Sequence, residues 1–200
     1  EAISEDPNFP VDYTQFPRET LKRKSGQCDD LAILIVSMLE SANVPAAILD
    51  FPGHMALMFD TEASDPLEVG LPVGDLVLHG GTYWVPLEPT LIGKGFLEAW
   101  RKAAYSYRAE NEKGKVKVLE VRRAWQDFEP ATLPAGDWSA APSPMAQRQK
   151  AFAIDSEGLA KERYTLLKAA YEENLKKNPS DVESALELGL LEFQTGREKA

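Results

Sequence analysis

Cysteine is almost missing from this chain: Cys28 is the single one in 200 residues, and histidine occurs only twice. One cysteine excludes an internal disulfide and a zinc site built from several thiolates. Long apolar runs are missing too, since the longest, over 31–39, is interrupted by Ser37 and is too short to span a bilayer. We therefore expect no membrane insertion.

Positive charge is also scarce, with 22 Lys and Arg against 32 Asp and Glu and a formal net charge of −10. A nucleic-acid-binding surface needs clustered cations to displace counterions, so we expect no nucleic-acid partner. The hydrophobic fraction of 44% is ordinary for a globular protein and predicts a packed core. A chain of this length forms one domain, or one domain and part of a second.

The first half of the sequence predicts an α+β fold. Apolar residues recur with helical spacing over 28–41 and fill most of the helix surface, which is typical of a buried helix. Short β-rich runs follow over 46–51, 54–60, 75–79, 82–87 and 115–121, with a helix predicted over 96–109. Pro52-Gly53 and Gly80-Gly81 are typical of tight turns between antiparallel strands. We expect the buried helix to pack on a mainly antiparallel sheet.

The second half changes character at a segment rich in proline, which predicts a linker over 129–146 between a first domain at 1–128 and a helical segment at 147–200. The pattern over 147–177 fits one long helix, or two with a break near Asp155. Asn178-Pro179 ends it, and Ser180 or Asp181 can cap a last helix that runs to about Thr195.

This helical segment resembles an incomplete tetratricopeptide repeat. The resemblance is carried by the connector Asn-Pro-Ser-Asp over 178–181 and by Leu188-Gly189, with Gly196 seven positions later. It implies a protein partner bound through helical repeats. Since stacked repeats cover each other's apolar faces, we expect the natural protein to continue into further repeats.

Cys28 has the sequence context of a nucleophile. It follows Ser25-Gly26-Gln27 at the predicted start of the buried helix, where unpaired backbone N–H groups and the positive end of the helix dipole favour a thiolate. The N–H of Cys28 could also stabilise an oxyanion. The neighbouring Asp29 and Asp30 oppose a thiolate, so a cationic partner is required.

Two later residues could complete a catalytic group. His54 opens a strand directly after Pro52-Gly53, although a lone histidine on a strand is more often structural. Glu88 ends the strand over 82–87 and is held between Leu87 and a proline; a carboxylate there could orient an imidazole. Asp60 is the alternative acid, but it lies about 20 Å from His54 along an extended strand.

Together, Gly-x-Cys at a helix start, a histidine opening a strand, and Trp-x-x-x-Glu-Pro-Thr closing another resemble the transglutaminase-like (papain-like cysteine hydrolase) superfamily over residues 10–105. The resemblance implies that fold, with Cys28 as nucleophile, His54 as base and Glu88 in place of the family's Asp. A second departure is Met55-Ala56 after the histidine. The implied function is cofactor-free acyl transfer on a peptide or protein substrate, with amide hydrolysis preferred over transamidation.

Alternatives stay open at this point. The fold could be an inactive scaffold that binds proteins together with the helical repeats. A metal site of Cys28, Asp29, His54 and His79 ranks low, because no closely spaced ligand pair is present, and we expect no metal. Gln27, Tyr13 and Trp84 are candidate substrate-binding residues. The compartment is open between bacterial periplasm and cytoplasm, with the exported form preferred.

Overall fold

A computed structural model describes residues 13–134 and 136–197. Residues 1–12 of the predicted first domain and residues 198–200 of the predicted helical segment lie outside the described residues. The helices are α1 (Pro17–Arg23), α2 (Cys28–Ser41), α3 (Pro66–Val69), α4 (Phe96–Asn111), α5 (Val121–Asp127), α6 (Met145–Lys177) and α7 (Val182–Arg197). The strands are β1 (Ala46–Phe51), β2 (His54–Asp60), β3 (Val77–His79), β4 (Thr82–Leu87) and β5 (Lys117–Glu120). Single 3₁₀ turns cover Val73–Asp75 and Pro89–Leu91.

The five strands form one sheet in the order β3-β4-β2-β1-β5, and each neighbouring pair is antiparallel. Both predicted tight turns are present. Gly53 has φ 72°, and Gly80 and Gly81 have φ 62° and 96°, conformations that glycine adopts without strain. The predicted α+β class with a mainly antiparallel sheet is confirmed.

The sheet is curled, and a side-chain pair joins its two end strands. His79 on β3 and Glu120 on β5 approach to 2.7 Å between Nε2 and Oε1, although β3 and β5 are at opposite ends of the strand order. The inner surface of the curl holds an apolar cluster that includes Leu49, Met58 and Trp84. Burial of each such side chain contributes roughly 1.5–3 kcal/mol to folding.

Helix α2 packs against the outer surface of the sheet. Ala32 and Val36 contact the side that carries Ala46 and Leu57. The helix is less buried than its sequence predicts: Leu31, Ile33 and Ile35 are only partly buried, and Met38 near its end is 59% exposed. The predicted all-round burial is wrong for the last turn, because the sheet does not cover it.

Helix α6 is continuous, so the predicted alternative of a break near Asp155 is wrong. The Asp155 carboxylate accepts the backbone N–H of Phe96 at 3.0 Å and so caps α4, whose own N-cap residue is Gly95 and has no side chain to do so. Gly158 lies where a Cβ would come 2.5 Å from Leu97 Cδ1, which lets the two helices approach closely. Leu159 joins the apolar cluster of α4.

Two short helices were missed by the sequence-based predictions. Helix α3 interrupts the predicted loop over 61–74, because Asp65 accepts the N–H of Leu67 at 2.8 Å and a proline follows it in the first turn. Helix α5 begins at Val121, where a strand end was predicted. The described part of the linker runs against α1, where Arg18 donates to the carbonyl of Pro134 at 2.6 Å. Across 13–134 and 136–197, no helix has the length and apolarity needed to cross a membrane.

Candidate active site

Cys28 is the first residue of α2 and is half-buried. Its neighbour Gly26 allows the chain to turn tightly into the helix: a Cβ there would lie 2.7 Å from the Cβ of Asp30. The backbone N–H groups of a first helical turn have no acceptors within the helix, so the thiol lies at an electropositive end.

The side chain of Asp30 accepts hydrogen bonds from residues that precede α2. Its buried carboxylate accepts the backbone N–H of Gln15 at 2.6 Å, the side-chain amide of Gln15 at 2.7 Å and the N–H of Gln27 at 2.9 Å. Asp29 accepts the hydroxyl of Thr14 at 3.2 Å. These donors compensate the charges that the sequence places next to Cys28, and they tie the segment before α1 to α2.

His54 and Glu88 are hydrogen-bonded, with 2.7 Å between Nε2 and Oε2. The pairing of Leu57 with Leu87 in the β2–β4 ladder places Glu88 beyond the end of β4, diagonal to His54 on the same side of the sheet. The His54 side chain is 33% exposed and that of Glu88 only 3%. An ionised carboxylate accepts and does not donate, so with Glu88 ionised it is Nε2 that donates, and Nδ1 is the ring nitrogen not engaged by Glu88.

The second oxygen of Glu88 is held by Thr90. Glu88 Oε1 accepts the Thr90 hydroxyl at 2.5 Å and the Thr90 backbone N–H at 3.1 Å. A buried carboxylate needs such donors, since an unsatisfied one is costly. Thr90 belongs to the Glu-Pro-Thr motif, but sequence reasoning assigned it no hydrogen bond to Glu88.

The other contact that orients the imidazole comes from β1. The two-residue turn at Pro52-Gly53 brings His54 opposite Phe51, and their rings stack with centroids 6.3 Å apart and planes 18° apart. His54 is therefore fixed by a hairpin on one side and by a buried carboxylate on the other.

An open cleft of about 980 Å³ adjoins this pair. Its wall comes mainly from α4 and the preceding loop, with a contribution from α6. The lining side chains and glycine are His54, Glu88, Thr90, Leu91, Lys94, Gly95, Leu97, Glu98, Arg101, Lys102, Ser106, Ile154 and Asp155. Cys28 is not one of them, so the cleft reaches the imidazole from the α4 side.

Comparisons of the chain with protein-family models, with curated proteins and with solved structures found no match. An assignment of function therefore depends on the residues themselves: an imidazole hydrogen-bonded to a buried carboxylate, and separately a thiol at a helix start. These are the three groups that the sequence singled out.

The three candidate substrate-binding residues lie outside the cleft lining. Tyr13 is exposed and donates its hydroxyl to Glu19, whose carboxylate raises the pKa of the tyrosine. Gln27 is exposed at the start of α2. Trp84 is buried in the sheet core, where its indole N–H donates to the carbonyl of His79 at 3.1 Å. Its position is that of a packing residue.

The remaining alternatives can be placed as well. In the part of the chain that the structure describes, no three His, Cys, Asp or Glu side chains converge as metal ligands would. His79 instead faces Glu120 across the curl of the sheet. Asp60, at the far end of β2 from His54, accepts the N–H of Glu62 at 2.8 Å.

Proposed function

We propose that this chain has a papain- or transglutaminase-like fold and is a thiol-dependent acyl-transfer enzyme that hydrolyses amide or peptide bonds. Cys28 is the nucleophile, His54 the general base and acid, and Glu88 the group that orients the imidazole. The observation that carries the proposal is the 2.7 Å bond between His54 and a carboxylate that is 3% exposed and held on its other oxygen by Thr90. A carboxylate fixed in this way keeps an imidazole in one tautomer and stabilises its charged form.

In the proposed reaction, His54 Nδ1 takes the proton of the Cys28 thiol. The thiolate attacks the substrate carbonyl carbon, and backbone N–H groups at the start of α2 stabilise the negative oxygen. The carbon–nitrogen bond then breaks as His54 gives its proton to the leaving amine, which leaves a thioester on Cys28. Water attacks the thioester while His54 takes up its proton, and cleavage of the carbon–sulfur bond restores the thiol.

The presence of a single cysteine makes the proposal directly testable by alkylation. The rate of iodoacetamide modification at mildly acidic pH follows the thiolate fraction, so His54→Ala should slow it by about tenfold or more. The matched control is His79→Gln, which removes the only other histidine and should leave the rate unchanged. Equal alkylation rates in wild type and His54→Ala would contradict the proposal.

A second candidate is a catalytically inactive scaffold that binds proteins. Two observations favour it: the cleft lining includes His54 but not Cys28, and α7 exposes Val182, Leu186 and Leu190 at helical spacing. On this view the first domain at 1–128 is a support for the tetratricopeptide-like segment after the linker. A Cys28 thiol that reacts like that of a free cysteine, in wild type and His54→Ala alike, would favour the scaffold.

A further inference from the structure

The cleft beside His54 follows one face of α4 over a length that suits a polypeptide. Its lining residues on this side lie at 94, 95, 98, 101, 102 and 106, the spacing of a single helix face. From Gly95 to Ser106 the helix rises by about 17 Å at 1.5 Å per residue. An extended chain covers that distance with roughly five residues at 3.3 Å each.

Most of the charges in the cleft already have partners. Glu88 is bonded to His54, and Asp155 accepts the N–H of Phe96. Arg101 forms an ion pair with Glu162 on α6 and so ties the two helices together. These bonds help to hold the shape of the cleft.

Lys94 and Lys102 are different. Both are exposed and line the cleft, and no carboxylate lies within 4.0 Å of either ammonium group among residues 13–134 and 136–197. Lys102 Nζ lies 5.9 Å from the ring centroid of Tyr105. Glu98 and Asp155 are lining carboxylates that form no ion pair within the described residues. On a chain with a net charge of −10, two lysines without carboxylate partners beside the candidate base favour an anionic ligand.

We propose, as an inference that rests on the proposed function, that the substrate is an acidic polypeptide segment bound in extended form along α4. Its Asp or Glu side chains pair with Lys94 and Lys102. The eight positions from Lys94, two before the start of α4, to Lys102 within it correspond to about 12 Å at the helical rise of 1.5 Å per position. Acidic side chains roughly four positions apart on one side of an extended segment match that distance.

The test uses the full chain with Cys28→Ala, which keeps the cleft and removes turnover. Fluorescent peptides of one background sequence carry Glu, Gln or Lys at two positions four residues apart, and binding is followed by anisotropy. We expect the Glu peptide to bind about tenfold more tightly than its Gln twin at low salt, and the difference to shrink at high salt. Lys94→Gln/Lys102→Gln should abolish the preference, whereas Lys115→Gln/Lys176→Gln, with the same change in charge, should keep it.

Equal binding of the Glu and Gln peptides, or an unchanged preference in Lys94→Gln/Lys102→Gln, overturns the inference. The alkylation experiment at Cys28 separates this failure from failure of the proposed function. If alkylation depends on His54 but the peptides show no preference, only the acidic substrate is wrong. If alkylation does not depend on His54, both the proposed acyl transfer and the proposed substrate are wrong.

Discussion

Glu88 and His54 are 34 positions apart in the chain, and their side chains meet at 2.7 Å. Two local features produce this contact. The turn at Pro52-Gly53 fixes where β2 begins, and the β2–β4 register fixes where Glu88 leaves the sheet. Thr90 donates to the other oxygen of Glu88 and so holds the carboxylate at the turn that follows β4.

Replacing Glu88 should remove most of the activity without unfolding the chain. Gln has the same shape, but it does not stabilise a charged imidazole, so we expect Glu88→Gln to lower amide hydrolysis roughly a hundredfold or more. Turnover of a peptide substrate, with circular dichroism as a check of folding, measures the loss. Glu68→Gln, an exposed exchange of the same kind, should leave turnover intact.

Thr90 should act on the site through Glu88. Thr90→Val keeps the volume and removes the hydroxyl donor from a buried carboxylate, and we expect it to lower the free energy of unfolding by about 1–3 kcal/mol. It should also slow alkylation of Cys28, because the imidazole loses its fixed acceptor. Thr90→Ser restores the hydroxyl and should recover both quantities, as urea titration and iodoacetamide rates can show. If Val and Ser behave alike, the hydroxyl has no such role.

Gly26 should be essential for the start of α2. In Gly26→Ala the new methyl would lie 2.7 Å from the Cβ of Asp30, and Asp30 cannot move without losing its bonds to Gln15 and Gln27. We expect a loss of about 1–3 kcal/mol in stability, measured by denaturant unfolding. Gly74→Ala is the matched control, since nothing lies within 4 Å of its added methyl. A similar loss in both variants would contradict this explanation.

Asp155 should couple helix α6 to the cleft. Asp155→Ala leaves the N–H of Phe96 without its acceptor and should cost about 1 kcal/mol. Asp155→Asn keeps an acceptor oxygen and should cost less. Hydrogen exchange at the first turn of α4 locates the effect, and unchanged protection there in Asp155→Ala would show that the cap is unimportant.

The start of α7 should respond to acid. Asp181 accepts the N–H and the hydroxyl of Ser184, and these bonds lower the pKa of its carboxyl below the usual 3.8. A lowered pKa in the folded state means that the stabilisation is complete above 3.8 and is lost as pH falls through the folded value. The stability advantage of wild type over Asp181→Asn should therefore decline in this range. A difference that is constant with pH would contradict the assignment.

The fold was predictable where the signals were local. Neighbouring residues were enough to predict the tight turns at Pro52-Gly53 and Gly80-Gly81 and the two strands that each turn joins. The same is true of the helix that starts at Cys28. Helix α6 is continuous, whereas the sequence pattern also allowed a break near Asp155. Here its carboxylate caps another helix, a long-range contact that no pattern within α6 can reveal.

Of the three catalytic candidates that the sequence singled out, the structure joins two by a hydrogen bond, His54 and Glu88. The sequence singled out Glu88 from the proline that follows it, and the structure places it against His54. Thr90 was given no role, because its importance depends on how deeply Glu88 is buried. Trp84 was a candidate both for the core and for substrate binding, because an aromatic residue on a strand has the same pattern in either place, and it lies in the core.

The contact between His79 and Glu120 has a consequence for how the chain meets other chains. The terminal strands of an open sheet present unpaired backbone groups, which invite strand addition and aggregation. Here both terminal strands are short, with three and four residues, and a side-chain pair draws them together. The short, joined ends of the sheet would therefore resist strand addition by the peptides that we propose as substrates. Such an extended polypeptide would bind along α4 beside His54 instead.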